Sequence, residues 1–236
     1  RYFDSNTYYR HPIAEGEVTW DGPISVADYI FAKKHSTKPL KAVITGPYTL
    51  ARLSQQGQYS GMRPLVMDLA QALNKEALAL QEAGAPVIQF DEPAILKHNE
   101  DMPLLEEASA VLTQGVTTKT ELCTYFRDLS GIARDLFRLP FQVFGLDFAW
   151  GPANFDLLDG FPEDKELVIG LLDARNTRLE PVEEIIQGAR RVSAHVSLDR
   201  VQISPSCGLD FLPRKNARLK LERLVEGARA IEEELG

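Results

Sequence analysis

Polar and sulfur-bearing side chains follow several short apolar runs of the sequence, each at the point where the run stops. The clearest case is VQISPSCGL, residues 201–209, where an apolar run gives way to a turn that holds Cys207, one of only two cysteines. Cys123 lies at the end of another run, and carboxylates follow others. The side chains that could do chemistry are Asp91, Glu92, Glu121, Cys123, Asp147, Asp173, Arg175 and Cys207.

Thiolates and carboxylates together are ligand types of a tetrahedral zinc site, in which zinc–sulfur contacts are about 2.3 Å long. The spacing of the two cysteines is not diagnostic by itself, because the chain holds no C-x-x-C pair. A free cysteine is also one of the most buried residue types and often serves as a small hydrophobe. The residues alone therefore leave two interpretations open, a metal site or two structural thiols.

The overall composition favours a cytoplasmic protein that acts on a small molecule. Of the 236 residues, 44% are hydrophobic and 25% are charged, as is usual for a globular chain. The net charge of -8 argues against a nucleic-acid-binding surface, which needs clustered Lys and Arg. Apolar runs such as 167–172 are far shorter than the roughly 20 residues of a membrane span. We expect free thiols and no nucleic-acid or membrane partner.

The chain alternates between short apolar runs and longer helical patterns, without a low-complexity linker. The helical patterns cover 64–83, with Gly84 as a stop, and 181–194 and 214–235. The predicted apolar stripe of the last helix is Leu221, Leu224, Val225, Ala228 and Ile231. The six strand candidates are 41–45, 86–90, 120–125, 141–146, 167–172 and 200–204.

Strands linked by helices predict a parallel sheet, because right-handed crossovers place helices over the faces of the sheet. Alternation alone does not distinguish a closed barrel from an open sheet. Here every candidate strand ends in polar residues. A (β/α)8 barrel builds its site from loops at the carboxyl ends of many strands, whereas an open doubly wound sheet concentrates its site at one switch point. The sequence therefore predicts an α/β fold of the (β/α)8 TIM-barrel type.

We predict one barrel domain over residues 1–236. Residues 1–40 form a lead-in of loop or hairpin and helix, and residues 41–236 form six βα units. Because a barrel has eight strands, we expect the chain to lack the first one or two βα units, each of roughly 30 residues or more.

The sequence resembles the cobalamin-independent methionine synthase family in segments that occur in the same order and extend over essentially the whole chain. These segments are RYFDSNTYY, KAVITGPYTL, VIQFDEPAI, LCTYF, LDFAWGP, IGLLDARN and ISPSCGLDFLP. The resemblance implies a (β/α)8 barrel and a zinc-dependent methyltransferase that forms methionine from homocysteine. In that family two cysteines, one histidine and one glutamate hold the zinc.

The resemblance assigns metal and substrate roles to residues of this chain. Cys207 matches the late cysteine ligand, and Cys123 lies in the strand that carries the family's His-x-Cys pair. Glu121 stands where the histidine would be, and Asp147 matches the glutamate ligand with one methylene less. Asp91 matches the aspartate that holds the homocysteine amino group.

The same resemblance bears on the methyl donor. Arg175 stands where the family has a histidine that serves as proton donor, so we assign Arg175 and Asp91 to catalysis. Glu92 and Ser206, which adjoin matched positions, are assigned with Asp91 to substrate binding. Because the histidine is replaced, a methyl-corrinoid protein is the preferred donor over a methylated folate.

Two alternatives to this function stay open. LDFAWGP and LLDARN look more like the non-catalytic first barrel of the long enzyme, which would make this chain a binding barrel without catalysis. A uroporphyrinogen-decarboxylase-like enzyme shares the superfamily fold, but it would need a basic pocket for substrate carboxylates. The candidate residues here are mainly acidic.

Overall fold

The computed structural model describes residues 1–3, 5 and 7–236. Six strands alternate with helices in these residues. The strands are β1 (Ala42–Thr45), β2 (Val87–Asp91), β3 (Lys119–Cys123), β4 (Val143–Asp147), β5 (Glu166–Leu172) and β6 (Val201–Pro205). The α-helices are α1 (Val26–His35), α2 (Pro47–Arg52), α3 (Met62–Glu82), α4 (Met102–Leu112), α5 (Ala133–Leu136), α6 (Val182–Ser193) and α7 (Arg214–Leu235). Across the described ranges, no helix is both long and apolar enough to span a bilayer.

The chain divides into two compact units. The first unit comprises Arg1–Cys123 and Arg138–Gln142, and the second comprises Thr124–Phe137 and Val143–Gly236. In the first unit, β2 pairs in parallel with β1 and with β3. In the second unit, β5 pairs in parallel with β4 and with β6. All six predicted strands are therefore present, and their pairing within each unit is parallel as predicted.

The alternation of side chains along β2 shows how the first unit separates its core from its polar face. Ile88 and Phe90 are buried, whereas Gln89 and Asp91 are partly exposed. Successive side chains of a strand point to opposite faces, so Gln89 and Asp91 share one face of the sheet. In the parallel register Asp91 lies opposite Cys123. The polar face of β2 and β3 thus ends with a carboxylate beside a thiol.

Helix α3 matches the predicted pattern and adds one residue that the pattern missed. Leu65, Leu69 and Leu80 of this helix are buried, and Gly84 follows the helix with a φ of 81°, as a helix stop requires. Glu76 is also buried, although it is charged. Its carboxylate accepts hydrogen bonds from Trp20 Nε1 at 2.9 Å and from the Ser25 backbone N–H at 2.7 Å. Glu76 therefore holds the segment that precedes α1 against α3.

The segment before β1 contains α1 and one isolated bridge. Ile13 forms this bridge with Gln55, and the pairing is parallel. Tyr29 is the buried residue of α1, and its hydroxyl donates a hydrogen bond to the Gly84 carbonyl at 2.9 Å. Tyr29 thus connects α1 to the turn that follows α3.

The predicted stripe of α7 was wrong in part. Leu221 and Val225 are each 50% exposed, and the buried residues of the helix are Lys220 and Gly227. A Cβ atom at Gly227 would lie 2.8 Å from Ile185 Cδ1 of α6, so glycine permits the two helices to approach closely. The side that α7 turns inward is therefore set by a glycine and a lysine, which a search for apolar periodicity does not detect.

The predicted third strand was too long. It extends over 119–123 instead of 120–125, because the chain leaves the extended conformation after Cys123. Phe126 has a φ of 78°, in the left-handed region that residues other than glycine rarely adopt. The Phe126 N–H donates a hydrogen bond to the buried Asp147 carboxylate, and this contact sets the turn.

Candidate functional site

Both candidate residues that end strands of the first unit lie on its polar face. Asp91 ends β2 and Cys123 ends β3. Gln89 Nε2 donates a hydrogen bond of 2.6 Å to Asp91 Oδ1, which fixes the orientation of that carboxylate. The structure therefore brings Asp91 and Cys123 to neighbouring positions at the carboxyl ends of adjacent strands, as the strand-end pattern predicted.

Glu121 lies on the same strand as Cys123, two residues earlier, and its carboxylate is engaged in an ion pair. Lys41 Nζ lies 2.8 Å from each of its two oxygens. The Glu121 side chain is only 3% exposed, whereas that of Lys41 is 35% exposed. In the structure this carboxylate neutralises a lysine, and its role as a metal ligand stays a prediction.

Glu92 is fully buried at the end of β2 and accepts hydrogen bonds from a helix N-terminus. The backbone N–H groups of Tyr48 and Thr49 donate to its two oxygens at 2.9 and 2.7 Å. These groups lie in the first turn of α2, where backbone N–H groups lack partners within the helix. Burial raises the pKa of Glu92 to about 7, against the opposing effect of these hydrogen bonds. Its assignment to substrate binding stays a prediction.

Backbone hydrogen bonds tie the strand ends of the first unit together around Glu92. The Glu92 N–H donates to the Cys123 carbonyl at 2.8 Å, and the Gly46 N–H donates to the Asp91 carbonyl at 2.9 Å. A Cβ atom at Gly46 would lie 2.3 Å from Glu92 Oε1. Glycine is therefore required where the carboxylate approaches the loop after β1, which the sequence analysis did not foresee.

A polar cluster in the first unit was missed from the sequence. The buried Tyr48 donates its hydroxyl proton to Asp101 Oδ2 at 2.6 Å, and Arg52 Nε donates to the Tyr48 oxygen at 2.9 Å. Burial and the neighbouring Asp101 raise the pKa of Tyr48 well above its usual range. No spacing rule connects these residues, because the contact joins α2 to the short helical turn that precedes α4.

In the second unit, Asp147 ends β4 and is completely buried. Its Oδ2 accepts the Phe126 N–H at 2.9 Å, and its Oδ1 accepts the N–H groups of Ala149 and Trp150 at 2.9 and 2.8 Å. Burial raises the pKa of Asp147 to about 6, although these hydrogen bonds oppose the effect. An ionised carboxylate offers about four acceptor positions, so three N–H donors leave room for one further contact.

Arg175 lies between two aromatic rings. Its guanidinium carbon is 4.7 Å from the centroid of the Phe126 ring and 4.5 Å from that of Trp150. A guanidinium over an aromatic face is attracted by the ring quadrupole. Asp147 holds the backbone of both ring-bearing residues, so one buried carboxylate sets the position of the stack.

Cys207 follows β6 and is buried. Burial, and then the charge of Asp147, raise the pKa of its thiol to about 12. Ser206 Oγ accepts the Ala174 backbone N–H at 3.1 Å, which ties the turn after β5 to the end of β6. The charge of Arg175 acts on the same thiol in the opposite direction and lowers its pKa.

The chemistry of the donor set decides how far these residues fit a metal. Within the residues that the structure describes, no group of three or more His, Cys, Asp and Glu side chains is arranged to hold an ion. Zinc suits the two thiols, and the carboxylate of Asp147 retains an acceptor position. Both oxygens of Glu121 contact Lys41, so this carboxylate already balances one positive charge.

Comparisons with known proteins give a consistent result over nearly the whole chain. A family model described as the catalytic domain of cobalamin-independent synthase matches residues 4–230. Methionine synthase of Saccharolobus solfataricus is 37% identical over 232 residues, which are 97% of this chain and 69% of that protein. Methionine synthase of Pyrococcus furiosus is 34% identical over 233 residues, which are 98% of this chain and 68% of that protein.

Solved structures of similar fold cover the chain to the same extent. A B12-independent methionine synthase from a Shewanella species, solved with selenomethionine, has a TM-score of 0.84 at 24% identity. The match covers 95% of this chain and 71% of that chain. A methyltransferase from Methanosarcina mazei has a TM-score of 0.66 at 19% identity and is covered over 71% of its length. This likeness confirms the α/β fold of the TIM-barrel type that the sequence predicted.

Proposed function

We propose that this chain transfers a methyl group to the thiol of homocysteine. The premise is that the chain belongs to the cobalamin-independent methionine synthase family and is a methyltransferase of that type. The product of this transfer is methionine. The structural observation that carries the proposal is the position of Cys207, which lies two residues after the end of β6, beside Ser206, whose Oγ accepts the Ala174 N–H of the turn after β5. Strand carboxyl ends are where barrels of this type build their sites.

Asp91 is the residue proposed to bind the substrate directly. Its carboxylate is oriented by Gln89 and suits the ammonium group of an amino acid. Glu92 and Ser206 support substrate binding through the backbone, since each accepts N–H groups of a neighbouring strand-end loop. Their contribution is to hold the loops in place, which supplies proximity and not acid–base chemistry.

Zinc is the metal proposed for this chain, with the thiolate of Cys207 and one oxygen of Asp147 as ligands from the second unit, while the role of Cys123 as a ligand stays a prediction. When bound, zinc lowers the pKa of a substrate thiol so that the nucleophilic thiolate is present at neutral pH. The high pKa of the Cys207 thiol without metal supports a coupling between metal binding and proton release. Glu121 is left out of the ligand set because it neutralises Lys41.

The stacked Arg175 supports a donor that needs no general acid. A guanidinium stays protonated under all physiological conditions and cannot deliver a proton to a leaving group. A methylated folate leaves as an amine that must take up a proton. In a methyl-corrinoid the carbon–cobalt bond breaks with its electron pair on cobalt while the carbon–sulfur bond forms, so no proton is required. We therefore propose a methyl-corrinoid protein as the donor.

The test measures methionine formation by the purified full chain from homocysteine and each of the two donors in parallel. We expect the wild type to contain about one zinc per chain and to form methionine from the methyl-corrinoid donor. Cys207→Ser should lose both the zinc and the methionine formation. Arg175→Lys is compared with Arg178→Lys, because Arg178 is exposed and pairs with Glu184 on the surface. Faster methionine formation from methylfolate would contradict the donor assignment. Failure with both donors would contradict the reaction and favour a binding barrel.

A further inference from the structure

Lys220 and Glu180 form a buried ion pair that the proposed chemistry does not use. Lys220 Nζ lies 2.9 Å from each oxygen of the Glu180 carboxylate, and the two side chains are 1% and 5% exposed. A buried ion pair is often no more stabilising than a well-packed apolar pair, because the desolvation of two charges offsets their attraction. Stability alone therefore does not explain why a lysine occupies the inward face of α7.

Glu180 also holds the turn that follows β5. Its Oε1 accepts the backbone N–H of Asp173 at 2.9 Å. Asp173 Oδ1 in turn accepts the backbone N–H of Arg175 at 2.8 Å. The carbonyl oxygen of Glu180 accepts a hydrogen bond from Arg223, which lies one helical turn after Lys220 on α7. Helix α7 therefore holds Glu180 through both its carboxylate and its backbone.

The contacts continue from this turn to the aromatic stack. The guanidinium of Arg175 fits between the rings of Phe126 and Trp150, whose backbone N–H groups both donate to Asp147. Asp147 thus fixes the backbone of the two ring-bearing residues, and the turn held by Glu180 fixes the backbone of Arg175. A displacement of about 1 Å in a positioned group can change a rate by a large factor, so both supports matter for a residue that acts at the reacting centre.

We infer that Lys220 and Glu180 are positioning residues, which fix the turn of residues 173–176 so that Arg175 stays between Phe126 and Trp150. Only the kinetic consequence rests on the proposed function, because the placement of Arg175 can be measured directly. If the methyl transfer were wrong, the turn would still depend on the ion pair.

The placement is measured through Trp150. The chain has two tryptophans, so Trp20→Phe leaves Trp150 as the single tryptophan. We expect Lys220→Met to raise the acrylamide quenching constant of Trp150 to the value of Arg175→Met, because the guanidinium no longer covers the indole face. Arg190→Met is the matched control, since it removes another ion pair of α7 that does not reach the turn. It should leave the quenching constant at the starting value.

A second variant keeps the test decisive if Lys220→Met does not fold, since loss of one partner leaves the other charge buried and uncompensated. In the double variant Lys220→Met with Glu180→Met, apolar side chains replace the pair, and Asp173 loses its acceptor. We expect the raised quenching constant and the same fold-loss of kcat as in Arg175→Met. Quenching that stays at the starting value in the double variant would overturn the inference. The inference would also be overturned if Arg175→Met lowered kcat while the double variant left kcat unchanged.

Discussion

The pKa of the buried Glu92 predicts a specific dependence of stability on pH. Its pKa is raised from 4.5 to about 7 by burial. Below pH 4.5 the carboxyl is protonated in both the folded and the unfolded protein, so it makes no pH-dependent difference. Between pH 4.5 and about 7 the unfolded chain has released this proton while the folded protein still holds it. The stability therefore falls as the pH rises through this window.

The size of the effect follows from the same two values. The difference between 4.5 and about 7 is about 2.5 pH units, and one unit corresponds to about 1.4 kcal/mol, so the loss is on the order of 3 kcal/mol. Glu92→Gln keeps the shape of the side chain but cannot titrate. The amide nitrogen of the glutamine is a donor, and it then faces a backbone N–H that is also a donor. This adds a destabilisation that does not vary with pH.

The assay is urea unfolding of the wild type and Glu92→Gln at pH values from 4.5 to 8, followed by circular dichroism. We expect the free-energy difference between the two proteins to shrink by about 3 kcal/mol from the acidic to the alkaline end. Glu183→Gln serves as the control, because Glu183 is an exposed carboxylate on α6. A difference that is constant over the whole pH range would refute the reasoning, since the buried carboxyl would then titrate at its ordinary pKa.

Three further changes test separate parts of the structure. Glu76→Gln should lower the free energy of unfolding by about 2 kcal/mol and shift the emission of Trp20, because the group that accepts the indole N–H loses its charge and one of its two oxygens becomes a donor. Gly227→Ala should cost about 1–3 kcal/mol in thermal unfolding, since its Cβ would press on Ile185 at 2.8 Å; an unchanged melting temperature would contradict the close helix contact. Glu121→Gln should cost about 1 kcal/mol, because its lysine partner is 35% exposed, and it should leave the zinc content measured by elemental analysis unchanged.

Strands β4 and β5 could be predicted from the sequence because burial on both faces leaves a continuous apolar run. Strand β5 shows this most directly, since five of the seven residues from 166 to 172 are buried. The end of β3 could not be predicted in the same way. Its last predicted residues, Thr124 and Tyr125, are of types that favour strands, but a contact with Asp147, 21 positions later than Phe126, turns the chain. Local pattern carries no information about such a partner.

The inward face of α7 shows the opposite failure. Apolar periodicity placed Leu221 and Val225 inside, yet both are half exposed. Lys220 and Gly227 are seven positions apart, which places them on one face of a helix. A glycine in the middle of a long helix costs about 1 kcal/mol and so indicates close packing at that face. That signal was present in the sequence, although the acidic partner of the lysine was not apparent.

Position at a strand end could identify the chemically relevant residues, but it could not assign their roles. A carboxylate at the carboxyl end of a parallel strand can bind a ligand, or it can accept the N–H groups of the loop that follows. The hydrogen-bond donors that already contact a carboxylate show whether it accepts the N–H groups of the loop. Asp147 receives three backbone N–H donors, and Glu92 receives a backbone N–H on each oxygen together with a side-chain hydrogen bond from Thr49. Both carboxylates therefore hold the loops that follow their strands, and the metal role of Asp147 stays a prediction.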